Sequence, residues 1–454
     1  MRDPIEAVAD HVITTQLRDI PEPARKSAKT FLLDTIGVAL AGTRDPYVKN
    51  LLAHATNNGG EKTSRVIGQR VNLAPADAAI VNGYQIHNSE FDCIHEEAVV
   101  HTMSVLLASV LADADYRGGV DGRSLLRAMV LGVDVACNIG IACRGGLRFF
   151  RPATAGIFAA VAALGSIRKY DKATLLNAFA LGYLQVAGTM QAHSEGSPLL
   201  ALQIGLSARN ALTACDLAEN GLPGLEQVLE GPFGYFNTIE KGSDINQVLP
   251  TLGRVWRITE VAHKPFPSGR ATHGIIDAIL ELKSAHGINA ADVRSVDAQV
   301  PQLTHQLVGR PIHKNMDANY ARLNARYAAA IALQRGSVHL DDFVETALQD
   351  KATITLAEKV NIVVDDNPDP NALSPVTLKI TASTGATYSK TIDTVLGHPS
   401  KPLDRKTHLT KFETNCKYAT MPPPAVNQKH LIRMVDQLED LTDVRQILDL
   451  IAGA

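Results

Sequence analysis

Seven ionisable side chains crowd residues 87 to 101: His87, Glu90, Asp92, His95, Glu96, Glu97 and His101. Asn82-Gly83 precedes them, and an apolar run from Met103 to Leu111 follows at once. Carboxylates and imidazoles set beside a core helix are costly unless paired or used. Asp92 and His101, placed where such a helix begins, are therefore the first candidates for an acid/base pair. Glu96 and Glu97 read as partners of the helix dipole. A zinc-protease helix needs its two histidines at i and i+4; His95 and His101 do not meet that spacing, and no metal is expected. His87 and His95 read as polar surface histidines.

Three further clusters carry possible chemistry. In 263 to 277, Lys264, Arg270 and His273 gather with prolines and glycines just before an apolar helix. Cations at a helix N-terminus suit an anion; an interdomain linker is the competing reading, and ligands favour such junctions. Arg144, Arg148 and Arg151 flank Gly145-Gly146. They would suit bidentate carboxylate binding or be ordinary surface charge. In 320 to 331, Tyr320 and Tyr327 share a helical face, with Arg322 and Arg326 nearby. Each alone reads as core filler or solvated charge. No GxGxxG, Walker-type loop or GxSxG elbow is present, which disfavours nucleotide cofactors and serine-hydrolase chemistry.

The elements that must position these residues are mostly helical. Patterns recur at 24 to 41, 74 to 84, 102 to 115, 123 to 143, 153 to 167, 172 to 193, 199 to 219 and 225 to 230, with almost no strand before 256. Small residues dominate, so the helices should cross closely. Alternation at 296 to 300 and 360 to 364, with a hairpin from Val376 to Ile392, marks an α+β unit. Helical patterns return after Leu409. The expected fold class is mainly α with an α+β second domain. A discontinuous helical domain (1–257 and 402–454) should carry a smaller α+β lid (258–401), with residues after 409 packed on the first domain.

The 454 residues exceed one ordinary core. A net charge of -3 with no basic–aromatic cluster argues against nucleic acid and anionic membranes as partners. Five scattered cysteines without a CxxC pair predict neither disulfides nor a zinc knuckle, and Cys93 reads as a small buried hydrophobe. Polar residues Asp134 and Asn138 interrupt the apolar run at 126 to 143, and the N-terminus lacks a signal core. A cytoplasmic, reduced protein is expected.

Four stretches carry a family resemblance: LLDTIGVALAG (32–42), APADAAIVNGYQIHNSEFD (74–92), VVHTMSVLLASVLA (99–112) and KPFPSGRATHGIIDA (264–278). Their order resembles the MmgE/PrpD family, known for 2-methylcitrate dehydratase, cis-aconitate decarboxylase and epimerases of iminodisuccinate-like compounds. The resemblance implies a homodimer of two-domain subunits that needs no metal or organic cofactor. It places Asp92, His101, Lys264 and Tyr327 at the catalytic pocket. Arg151, Arg270, His273 and Gln203 become candidates for holding a small polycarboxylate. Two departures stand out. Decarboxylase-like members carry a histidine where this chain has Arg151 and a lysine where it has Leu200. Removal of the proton α to a carboxylate needs only a base, an acid and carboxylate clamps. Epimerisation is the first expectation, dehydration the alternative, and a non-catalytic ligand-binding homologue a third.

Overall fold

The computed structural model describes residues 3–452. Its helical part is built around Glu22–Gly42, which has a proline in its first turn and is buried without a break from Phe31 to Gly42. Pro75–His87 and Arg405–Tyr418 pack against it. Pro75–His87 also crosses Leu199–Glu219 at backbone contact: a Cβ on Gly83 would stand 2.8 Å from Gly205 Cα. Only glycine permits that approach. The apolar Gly122–Ile141 helix is long enough to cross a membrane, but it is buried against Gly156–Ile167. The first hydrophobic core joins residues 5 to 261 to Phe412, Leu431, Leu438 and Ile447, so helices after residue 404 pack on the N-terminal ones.

The second core lies mainly between Phe266 and Val395. Its sheet contains β3 (Val293–Val300), β4 (Val360–Val364), β5 (Val376–Ala382) and β6 (Thr387–Ile392) in the order β4-β3-β5-β6. β3 pairs in parallel with β4, and the other neighbours are antiparallel. Val293, Val296, Ala298 and Val300 are buried, matching the alternation that predicts a one-sided strand. His273–His286 and Ala325–Arg335 pack together and on this sheet. The fold is thus mainly helical with a smaller α+β domain.

Two local expectations fail: the helix expected over 172 to 193 ends at Tyr183, with a separate short turn at Gln191–Glu195, and the one over 225 to 230 does not form. In the latter stretch the backbone N–H groups of Leu229 and Glu230 donate instead to the Asp3 carboxylate. A small hairpin, β1 (Ser64–Arg65) with β2 (Asn72–Leu73), precedes residue 256. Two-residue strands are too short to leave a periodic pattern.

Candidate active site

Backbone pairing brings the site together. Pro75–His87 ends at Asn88, which puts His87 at the start of the ionisable segment. Ile94 and Ala262 form an antiparallel bridge with N···O distances of 3.1 and 2.7 Å. Two residues out from that bridge on each strand, the register opposes Asp92 and Lys264, whose Oδ1 and Nζ lie 3.9 Å apart. A second bridge, His95 to Val100, turns the chain back. His101 thereby returns to Asp92, with Nδ1 2.9 Å from Oδ2.

Asp92 is fully buried and shared. His87 Nδ1 lies 3.0 Å from Oδ2, and the Ser104 hydroxyl donates to the same oxygen. The rings of His87 and His101 meet edge to face at 4.6 Å. Lys264, with no exposed surface, donates to the Glu90 carboxylate at 2.9 Å and to the Glu90 carbonyl at 3.1 Å. Glu90 has a φ of +50°, a left-handed conformation that costs a non-glycine residue roughly 1–3 kcal/mol. Lysine contacts at both ends of the residue hold it there.

The electrostatics separate the two imidazoles. Burial would raise the Asp92 pKa, but His101 and His87 outweigh it and hold the carboxyl well below the usual range. Burial would likewise raise Glu90, but the Lys264 ammonium leads the opposing groups that bring it to about 2. Burial lowers His101, and Lys264 and His87 add to that against Asp92, so its pKa falls and its neutral form is favoured. For His87, Asp92 and Glu90 overcome burial, and its pKa rises. Neighbouring groups driven apart in this way are the usual arrangement for dividing acid and base roles.

A cavity of about 50 Å³ opens beside the cluster, lined by Glu90, His101, His193 and Arg270 and by apolar side chains such as Phe150 and Leu307. His193 is buried, and burial followed by Arg310 lowers its pKa to about 3. Sequence reasoning missed His193, because QAHSEG shows neither spacing nor charge that points to a site.

The remaining candidates have other duties. Tyr327 lies in the α+β core, where its hydroxyl donates to the Asp342 carbonyl at 2.7 Å; it does not line the cavity. Arg151 is completely buried, gripping Glu240 with Nε and Nη2 at 2.9 and 3.1 Å and the Ala98 carbonyl with Nη1 at 3.2 Å. Its guanidinium is spent, so the carboxylate clamp expected of Arg151 is corrected to a structural tie. Gln203 brackets the backbone of Thr189. His273 is buried with Nε2 against the Ser268 carbonyl and its ring edge on Phe266. Arg270 does line the cavity but is held by Glu96, at 2.6 Å, and by the Leu396 carbonyl at 2.7 Å. His87 and His95 are buried, not superficial, and His95 pairs with Glu260 at 3.1 Å. Carboxylates hold both in place, one of them 165 residues away, although His87 Nε2 keeps no hydrogen-bond partner. Burial pushes the Cys93 thiol up to about 12, which leaves it inert.

Among the described residues, two triplets bring ligand atoms within metal-binding reach: His87, Asp92 and His101, and Asp34, His263 and His408. An ion at the first would take both imidazoles as ligands in place of their contacts with Asp92 and would compete with the Ser104 hydroxyl for Oδ2. At the second, the Lys411 ammonium already sits 2.8 Å from Asp34.

The fold and site define a two-domain, mainly helical protein with a buried acid/base cluster at an interdomain cavity. Residues 6–248 match the MmgE/PrpD N-terminal domain and residues 266–439 the MmgE/PrpD C-terminal domain. The chain belongs to the MmgE/PrpD family. It is 27% identical to a cis-aconitate decarboxylase-like protein of Aspergillus oryzae, over 96% of this chain and 94% of the relative. It is also 27% identical to the cis-aconitate decarboxylase of Homo sapiens, over 94% and 90% respectively. The Mus musculus cis-aconitate decarboxylase is 25% identical over 99% and 93%. These relatives are lyases by name, which favours the lyase expectation over the epimerase one.

Proposed function

We propose that the protein is a lyase of small hydroxylated polycarboxylates, eliminating water after proton removal α to a carboxylate. The observation that carries this reading is the shared carboxylate: Asp92 has His101 at 2.9 Å and Lys264 at 3.9 Å. A two-base epimerase needs proton carriers on opposite faces of one carbon, whereas these two groups approach from a common support. His101, favoured as the neutral imidazole, takes the α proton, and Asp92 stabilises the imidazolium that results. The Lys264 ammonium, held by Glu90 behind the cavity wall, offsets through space the charge that builds up on the substrate carboxylate. His101 then returns its proton to the departing hydroxyl, so that the products are an unsaturated acid and water.

The test is a panel of citrate, 2-methylcitrate and malate, with cis-aconitate alongside, followed by ultraviolet absorbance and by NMR in deuterium oxide. An unsaturated acid formed from a hydroxy acid supports dehydration. Carbon dioxide released from cis-aconitate with no hydroxy acid consumed would replace dehydration by decarboxylation. Inversion with solvent exchange and no unsaturated product would restore the epimerase reading and overturn this one.

A further inference from the structure

A second cleft between the domains, about 620 Å³, shares a wall with the catalytic cavity. Asn88 and Ser89 line the cleft, while the next residue, Glu90, lines the cavity. Arg322 also lines the cleft, yet it is only 8% exposed. Its Nη1 donates to the Asn88 carbonyl at 3.0 Å, and its guanidinium lies 5.5 Å from the centre of the Phe343 ring. Its Nε has no hydrogen-bond partner. Among the described residues, no carboxylate stands within ion-pair distance of Arg322. The Ser89 hydroxyl, 3% exposed, is unpartnered as well.

A buried cation with no carboxylate in contact is costly, Asp45 acting on Arg322 only from beyond ion-pair distance, and buried donors are nearly always satisfied. Two of them on one cleft call for an acceptor that carries negative charge. Arg44 and Lys314 add positive charge to the same walls. Of the acidic side chains there, Asp45 already accepts from the Tyr84 hydroxyl and the Tyr47 N–H, and Asp317 caps Tyr320 N. Both are committed to the protein, and Glu345 is exposed. We propose that this cleft is a second binding site, separate from the catalytic cavity, for a small metabolite bearing an oxyanion (carboxylate or phosphate), with Arg322 and Ser89 as its inner donors. The site does not depend on which reaction the cavity performs.

The test uses the full chain. Crystals soaked in selenate should show an anomalous peak within hydrogen-bonding distance of Arg322 and Ser89. Calorimetric titrations with succinate and, separately, inorganic phosphate should show binding; the tighter of the two identifies the source of the oxyanion. Ser89→Ala and Arg322→Gln should each weaken it by roughly tenfold or more, the worth of a hydrogen bond to a charged group. Lys314→Ala, an exposed change that leaves the fold intact, should weaken it more modestly. Absence of the anomalous peak, or wild-type affinity in both Ser89→Ala and Lys314→Ala, would overturn the proposal.

Discussion

Two buried cation–carboxylate pairs, Lys264–Glu90 and Arg151–Glu240, have nearly the same closest contact, 2.9 Å in each, and neither cation is exposed to solvent. Their surroundings differ. Arg151 spends its donors on a bidentate partner and on backbone carbonyls, and Glu240 also receives the Tyr235 hydroxyl at 3.4 Å. Nothing there is left for a ligand. Lys264 instead joins two carboxylates and two imidazoles beside a cavity, with Glu90 held in a strained backbone conformation. A saturated pair fixes structure; a pair wired into titrating neighbours and open space can do chemistry.

Breaking the reactive region should produce the largest effect. His101→Asn is expected to slow turnover by roughly a hundred- to ten-thousand-fold, the usual worth of a positioned base, while thermal unfolding shifts little. Steady-state kinetics on whichever substrate the panel identifies will check it, and near-normal turnover would remove His101 from the mechanism.

Arg151→Met should do the reverse. It strands Glu240 in the core, at a cost of about 3–5 kcal/mol, visible as a lower denaturation midpoint. Adding Glu240→Gln should recover part of that loss, because the uncompensated charge is gone. A variant with unchanged stability and a much raised KM would show that Arg151 touches substrate after all.

Titration sharpens the contrast. Burial brings His193 and His263 to about 3 and His408 to about 4. The unfolded chain therefore binds protons at these sites before the native one does. Their contribution to stability is complete above about pH 6.5 and is lost as pH falls toward 3–4, at up to about 1.4 kcal/mol per pH unit for each histidine. Denaturation midpoints measured from pH 7 downward should fall accordingly. The depressed pKa of His101 puts the acid limb of kcat/KM below the ordinary histidine value of about 6.5. A limb above that value would contradict His101 as the base.

Tyr327→Phe should have the smallest effect. It deletes one hydroxyl donated to the Asp342 carbonyl, worth about 1 kcal/mol of stability, and turnover should remain within about twofold. A large loss of turnover at full stability would return Tyr327 to the site.

Much of this molecule was legible in its residues. Apolar periodicity marked the long helices, and alternation marked β3 and the β5–β6 hairpin, because burial on one face repeats along the chain. Asp92, His101 and Lys264 stood out because ionisable groups beside apolar runs must be paired or used. Tertiary structure alone decided the partners. Lys264 meets Asp92 only through the bridge between Ile94 and Ala262, and Arg151 lost its role as a clamp to a glutamate 89 residues away. His193 and Arg322 also reach their cavities from distant parts of the chain, Arg322 across 234 residues to Asn88, with no local pattern to announce them. A charge reads the same in sequence whether it faces a substrate, a buried counter-ion or water. Which of these it meets is set by long-range packing, and no local periodicity records that.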